Sequence, residues 1–102
     1  MKFTLTQEQL SYLNDRVSSL IVVMKNPDVD EKLYRLAAKM KYKFTPNSKY
    51  VWLSQKERQL LCDMLQYRLN ALIEAKVQTE EFDLVGNLMD TLVAYSNSEA
   101  QL

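Results

Sequence analysis

Apolar side chains recur at helical spacing along most of the chain, beginning near the N-terminus. Over residues 7–25 they stand three or four residues apart, which places them on one side of a helix. This stripe consists of Leu10, Leu13, Val17, Leu20 and Met24. Thr6 and Gln9 have the spacing of a capping box, and Asn26 precedes a proline and therefore avoids helical dihedrals. The pattern predicts a first helix over 7–25.

The next apolar stripe is shorter. Asp28 or Asp30 can cap a helix, and the apolar positions that follow keep the helical spacing. These positions are Leu33, Leu36, Ala37 and Met40. We therefore expect a second helix over 30–40.

The second half of the chain contains two further stripes. Ser54 and Glu57 form an S-x-x-E capping box ahead of an apolar run, which predicts a third helix over 55–77. Its apolar positions cover two adjacent sides, one with Leu61, Leu65, Leu69 and Leu72 and the other with Leu60, Met64, Tyr67 and Ala71. A stripe of this width indicates burial against more than one element. Thr79 caps a fourth helix over 80–95, and its first turn is acidic, as the helix dipole favours.

Residues 40–53 show a different pattern. At its start apolar side chains alternate with lysines at a period of two, with Met40, Tyr42 and Phe44 set against Lys39, Lys41 and Lys43. Such alternation is typical of a half-buried strand. A Thr-Pro-Asn-Ser turn sequence follows, and Tyr50, Val51 and Trp52 behind it are good strand formers. One interpretation is a short β-hairpin within 41–52, with strands over 41–45 and 49–52. The other is an irregular loop between helices.

These patterns together predict a mainly α fold in a single domain, 1–102, as a compact bundle of about four helices. The two halves also resemble each other at an offset of 48 residues, at which the two capping boxes coincide. The same offset aligns Leu13 with Leu61, Val17 with Leu65, Ile21 with Leu69 and Met24 with Leu72. Either the chain is a duplicated helical hairpin, or two capped amphipathic helices look alike for general reasons. Residues 97–102 are expected to form a frayed tail.

Composition narrows the chemistry. The 102 residues include one Gly, no His and one Cys. A phosphate-binding loop needs several glycines, whereas nucleophile–imidazole pairs and imidazole zinc sites need histidine. One cysteine cannot form an internal disulfide, which allows a reducing compartment. The longest purely apolar run, Leu20 to Met24, is too short to span a bilayer, and no targeting segment is visible. We therefore expect a cytoplasmic protein, bacterial or host, with no membrane contact and no cofactor.

Few residues suggest catalysis. Two acidic pairs have the helical spacing that a magnesium site requires, but each lies in a first turn, where acids are expected for capping reasons. They are Asp28 with Glu31 and Glu80 with Asp83. We therefore predict no metal site and no enzymatic activity. Cys62 is expected to be a small buried core residue, and Gly86 to allow another helix to approach the fourth helix closely.

Charge is segregated along the chain, although the net charge is zero. Residues 32–58 hold eight basic side chains and one acidic, a net +7, whereas residues 74–102 hold one basic and six acidic, a net −5. Aromatic residues interleave the basic ones, and the candidate site residues are Lys39, Lys41, Tyr42, Lys43, Lys49, Tyr50 and Trp52. Cations beside flat rings suit phosphates with stacked bases, and also an acidic protein surface. The structural alternative is that the rings pack in the core while the lysines form a solvated edge or are neutralised by the fourth helix.

These observations favour a non-enzymatic interaction protein that binds a partner protein. Broad apolar faces on four helices leave apolar surface to cover, so we expect a homo-oligomer. The general character of the chain resembles that of small helical accessory or inhibitor proteins such as phage products, although no motif carries this likeness. The alternative function is nucleotide or nucleic-acid binding through the basic aromatic segment 39–52.

Overall fold

Four α-helices and one pair of short strands form the described part of the chain. The computed structural model describes residues 2–24, 31–45, 47–48, 50–76 and 79–100, with the backbone alone over 94–100. The elements are β1 (Lys2–Phe3), α1 (Gln7–Met24), α2 (Glu31–Lys41), β2 (Val51–Trp52), α3 (Gln55–Glu74) and α4 (Glu80–Ala100). The predicted mainly α class is confirmed. Within the described ranges, no helix has both the length and the apolar character that crossing a membrane requires.

The chain divides into two compact units, which we call the N-terminal unit (Lys2–Trp52) and the C-terminal unit (Leu53–Leu102). Helix α1 packs on α2 in the first, and α3 packs on α4 in the second. The expected pair of helical hairpins is therefore confirmed. That the whole chain behaves as one domain stays a prediction.

Both long helices begin with a complete capping box. In α1 the Thr6 hydroxyl accepts the Gln9 N–H at 3.1 Å, and the Gln9 side-chain oxygen accepts the Thr6 N–H at 3.0 Å. In α3 the corresponding distances for Ser54 and Glu57 are 3.2 Å and 2.9 Å. Each box satisfies backbone N–H groups that have no partner inside the helix. The sequence-based starts of α1 and α3 are thus confirmed to the residue.

The N-terminal unit buries the apolar stripe of α1 together with one side of α2. Its buried residues are Phe3, Leu5, Leu10, Leu13, Val17, Ala37, Met40, Phe44 and Val51. The C-terminal unit buries Leu53, Leu61, Leu65, Leu72, Val85, Leu88 and Leu92. There the Arg68 guanidinium also donates two hydrogen bonds to Glu81, at 2.5 and 3.0 Å, and so links α3 to α4. Both hairpins therefore use the helical spacing of the sequence to form an apolar seam.

The predicted β-hairpin within 41–52 is wrong. Helix α2 continues to Lys41, and the following turn closes with hydrogen bonds from the Lys43 N–H to Met40 and from the Phe44 N–H to Lys41. Met40 and Phe44 are buried whereas Tyr42 between them is 79% exposed, so the three do not share one face as they would in a strand. A strand does form at Val51–Trp52, but it pairs antiparallel with β1. Pro46 and Lys49 lie outside the described residues.

Several predicted helix ends also differ. Helix α3 ends at Glu74 instead of 77, because Ala75 caps it and Lys76 adopts the left-handed conformation with φ of 55°. Helix α4 runs to Ala100 instead of 95, through part of the segment expected to fray. After Gly86 its sequence has no Gly or Pro to end it. The predicted end of the first helix at residue 25 and the cap and start of the second at 28–30 lie outside the described residues.

Two side chains expected on the apolar side of α3 are instead at the surface. Tyr67 is 80% exposed, and Ala71, one turn further on, is exposed as well. The buried seam of α3 is narrower than the sequence suggested, because only the side that carries Leu61, Leu65 and Leu72 is fully buried.

The 48-residue offset reappears in the structure. Leu13 and Leu61 are both fully buried, as are Val17 and Leu65. The strand register places Phe3 directly opposite Val51, and these two positions are also 48 residues apart. Gene duplication stays a prediction, and these equivalences support it.

Gly86 does not mark a close helix contact, contrary to expectation. A Cβ built on this residue would meet no heavy atom within 4 Å among the described residues, its own helix backbone and chain neighbours aside. Its φ is not positive, so no backbone conformation requires glycine there. The residue therefore weakens α4 without a steric reason in the described structure.

Replacing Gly86 with Ala should stabilise the protein by about 0.5–1 kcal/mol, because alanine loses less backbone entropy on entering a helix. Urea denaturation followed by circular dichroism measures the change. Ala71→Gly, at an exposed position within α3, is the matched reverse control and should destabilise by a similar amount. A clear loss of stability in Gly86→Ala would contradict the open space around this residue.

Candidate functional site

The two-strand ribbon has one buried and one exposed face. Lys2 is paired with Trp52, and Phe3 is paired with Val51. Phe3 and Val51 are buried, whereas Lys2 and Trp52 are exposed. This follows from the period of two in a strand, which sends successive side chains to opposite faces. The exposed face therefore brings together a cation and an indole from distant parts of the chain.

Two further residues complete a cluster on this face. The rings of Tyr50 and Trp52 meet edge to face, with centroids 6.3 Å apart and planes at 85°. The Lys2 ammonium lies 4.1 Å from the centre of the Tyr50 ring, in cation–π contact. The Lys43 ammonium donates a hydrogen bond of 2.9 Å to the Trp52 carbonyl. We call these four residues, Lys2, Lys43, Tyr50 and Trp52, the ribbon surface.

The ribbon surface remains accessible despite these contacts. Tyr50 is 48% exposed and Trp52 is 59% exposed. A large aromatic side chain with about half of its area in water retains apolar surface that a partner can cover. The surface thus offers two rings in a fixed mutual orientation, with one ammonium group over the Tyr50 ring and a second at the Trp52 carbonyl.

Asn14 on α1 positions the segment from which Lys43 projects. Its side-chain amide donates to the carbonyl of Lys41 at 3.2 Å and to the carbonyl of Phe44 at 3.1 Å. The last carbonyls of a helix lack partners within the helix, and this amide supplies one for the end of α2. Phe44, which follows Lys43 in the sequence, is buried. No pattern in the sequence of α1 singled out Asn14.

The structure brings together three of the seven site residues predicted from the sequence, namely Lys43, Tyr50 and Trp52. Lys39 is exposed on α2, Lys41 is half-buried at its end, and Tyr42 is exposed in the turn that follows. No hydrogen bond or ring contact among the described residues joins these three to the ribbon surface. Lys49 lies outside the described residues. Lys2 was missed because only the strand pairing brings it to Tyr50 and Trp52.

Cys62 is a half-buried residue on α3. Burial raises the pKa of its thiol; the nearby Arg58 guanidinium opposes this and the Asp63 carboxylate adds to it. An Arg58 Nη1 donates to the Cys62 sulfur at 3.8 Å, whereas the buried Arg58 Nε has no hydrogen-bond partner among the described residues. A nucleophilic cysteine requires a lowered pKa, so this environment is that of a packing residue.

The acidic pairs form no metal centre in the described part of the chain. No group of three or more Cys, Asp or Glu side chains there is arranged to hold an ion. Glu80 and Asp83 are exposed in the first turn of α4, and Asp28 lies outside the described residues.

No known protein family, curated protein or solved structure matches this chain. The assignment of a site therefore rests on the chain's own geometry. The ribbon surface is where exposed aromatic area, fixed side-chain contacts and positive charge coincide.

Replacing Asn14 with Ala should destabilise the protein by about 1–3 kcal/mol, because two partly buried carbonyls lose a donor. It should also shift the emission of Trp52, the only tryptophan, by loosening the turn that carries Lys43. Thermal denaturation and fluorescence spectra measure the two effects. Asn70→Ala, which removes one exposed hydrogen bond with Gln66, is the matched control and should change stability by under about 0.5 kcal/mol. Equal effects of the two substitutions would contradict a positioning role for Asn14.

The Cys62 thiol should react slowly with iodoacetamide, because its raised pKa lowers the thiolate fraction at neutral pH. We expect alkylation of the folded protein at pH 8 to be at least about tenfold slower than in denaturant, with a rate that still climbs at alkaline pH. Mass spectrometry at timed intervals measures both rates. Faster reaction of the folded protein would restore Cys62 as a candidate nucleophile.

Proposed function

We propose that this chain is a small non-enzymatic protein that binds a partner protein through the ribbon surface. It acts in a cytoplasm as an accessory or inhibitor protein, by occupying the surface of its partner. The observation that carries the proposal is the exposed, mutually packed pair Tyr50 and Trp52 with Lys2 over one ring and Lys43 at the Trp52 carbonyl.

The residue types of the ribbon surface support protein binding. Tryptophan and tyrosine are enriched among the residues that dominate the energy of protein interfaces. Here both lie side by side and are about half exposed. Covering them would remove a substantial apolar area from water at a small number of contact points.

The order already present in this surface supports the same proposal. Each side chain that a partner immobilises costs rotamer entropy on binding, unless the side chain is fixed beforehand. Lys2 is held over Tyr50, and Tyr50 is held against Trp52. The backbone of Trp52 is held by β1 and by Lys43. Little ordering therefore remains for the moment of binding.

The charge of the surface indicates the chemistry of the partner. Two ammonium groups contact Tyr50 and Trp52, and the N-terminal unit carries nine basic and five acidic side chains, a net +4. Complementary charge speeds association and suppresses partners of the wrong sign. We therefore propose a partner surface that is acidic around an apolar centre.

Nucleotide or nucleic-acid binding is the second candidate, because lysines beside aromatic rings also suit phosphates and bases. Two details weigh against it. The rings stand at 85° to each other, so they do not form a pair of parallel faces, and the Lys2 ammonium already lies over the Tyr50 ring. The chain as a whole has no net charge, whereas nucleic-acid-binding domains are usually basic.

The test is affinity capture with immobilised full-length protein from cells that naturally contain the chain. We expect that a protein captured by the wild type is not captured by Trp52→Ala. The substitution should weaken binding by about 2 kcal/mol, which is roughly 30-fold in affinity. Tyr67→Ala is the matched control, because Tyr67 is more exposed than Trp52 but has no ring or cation contact among the described residues. That variant should retain the captured protein.

The same experiment separates the two candidates. Capture that survives nuclease treatment, together with unchanged Trp52 emission when oligothymidylate is added, supports the protein partner. Capture abolished by nuclease, with Trp52 emission quenched by the oligonucleotide, supports the second candidate. Capture that is equal for the wild type and Trp52→Ala contradicts both, since neither then uses the ribbon surface.

A further inference from the structure

The boundary between the two units is also a boundary between opposite charges. The N-terminal unit has a net charge of +4, whereas the C-terminal unit has four basic and eight acidic side chains, a net −4. The neutrality of the chain thus comes from segregation and not from even mixing. Two copies of such a chain can attract each other through unlike units at distances up to the Debye length, about 8–10 Å in physiological salt.

Three of the eight acidic side chains of the C-terminal unit lie on one side of α4. Glu80, Asp83 and Asp90 are exposed, and their spacing of three and seven residues places them along one helix face. We call these three residues the acidic stripe. None of their side chains has a hydrogen bond or an ion pair within the described part of the chain, whereas the neighbouring Glu81 is paired with Arg68.

An apolar side chain continues the acidic stripe. Val93 is 40% exposed and stands three residues after Asp90, on an adjacent position of the helix surface. The stripe with Val93 is therefore acidic along one side and apolar at its end. It therefore combines carboxylates with exposed apolar area, the two features that we proposed for the partner of the ribbon surface.

We propose that two copies of this chain associate reciprocally, with the ribbon surface of each copy against the acidic stripe of the other. The inference rests on the proposed function and names a second copy as the partner. Lys2 and Lys43 meet carboxylates, while Trp52 covers the apolar end of the stripe. Each copy supplies both surfaces, so in the proposed dimer the same contact forms twice, with two-fold symmetry.

Charge reversal provides a sharp test. The ribbon-reversed variant carries Lys2→Glu and Lys43→Glu, and the stripe-reversed variant carries Asp83→Lys and Asp90→Lys. Either variant alone places like charges at both contacts, so it should be monomeric. An equimolar mixture restores unlike charges at both contacts and should form a heterodimer. Rescue on mixing also shows that each variant is folded, which a loss of association alone does not.

Sedimentation equilibrium at low salt measures these states. Wild-type protein at about 100 µM should have twice the 12.0 kDa mass of the chain, and its dissociation constant should rise at least tenfold between about 50 mM and about 500 mM salt. Lys39→Glu with Lys56→Glu is the matched control, since it makes the same change in net charge at exposed positions outside the ribbon surface. It should weaken association by less than about threefold.

A monomeric wild type would overturn the inference, as would a ribbon-reversed variant that still dimerises with itself. A mixture that fails to associate, although circular dichroism shows both variants folded, would overturn it too. An assembly that carries nucleic acid by its absorbance and dissociates on nuclease treatment also overturns it. If a different protein is captured in a Trp52-dependent manner while the wild type is monomeric, the inference fails and the proposed function stands. If neither capture nor self-association depends on Trp52, both fail.

Discussion

The side-chain amide of Asn14 is the constraint on which the candidate surface depends. A helix end leaves carbonyls without partners, and this one amide donates to Lys41 at the end of α2 and to Phe44 beyond it. Both N–H donors belong to the planar amide of Asn14 on α1, and this fixes where the chain leaves α2. Lys43 lies between Lys41 and Phe44 in the sequence, and its ammonium is 2.9 Å from the Trp52 carbonyl. Helix packing, the end of α2 and the ribbon are thus linked through one residue.

The two hairpins share their starts and their seams but differ in what fixes their helices. Both begin with a capping box, and both bury leucines at equivalent positions. The 48-residue offset, however, equates Asn14 with Cys62, which donates no such pair of hydrogen bonds. In the C-terminal unit the charged bond between Arg68 and Glu81 links the helices instead. If the halves arose by duplication, the two Asn14 hydrogen bonds that support the ribbon surface belong to one half alone.

The sequence predicted the features that depend on local chemistry and missed those that depend on pairing. Capping boxes act within four residues, so the starts of α1 and α3 were readable. The alternation around Tyr42 suggested a strand, but Tyr42 is exposed while Met40 and Phe44 are buried, and burial is a tertiary property. Strand β1 has two residues, too few for any periodic signal, and so Lys2 was not expected beside Trp52. The lysines and aromatic rings were recognised as a group, but which of them meet was set by strand register.

A ribbon of two residue pairs has no stability of its own, so the structure of its exposed face depends on the packing of its buried face. Phe3 and Val51 hold the strands from the core side, while Lys43 holds the outer carbonyl of Trp52. The exposed rings therefore sit on backbone that folding has already ordered, and a partner need not order it again. By linkage, whatever binds these rings also stabilises the strand pair beneath them. The lysines then select the sign of the partner and the rings supply the area, so affinity and selectivity reside in different side chains of the same small surface.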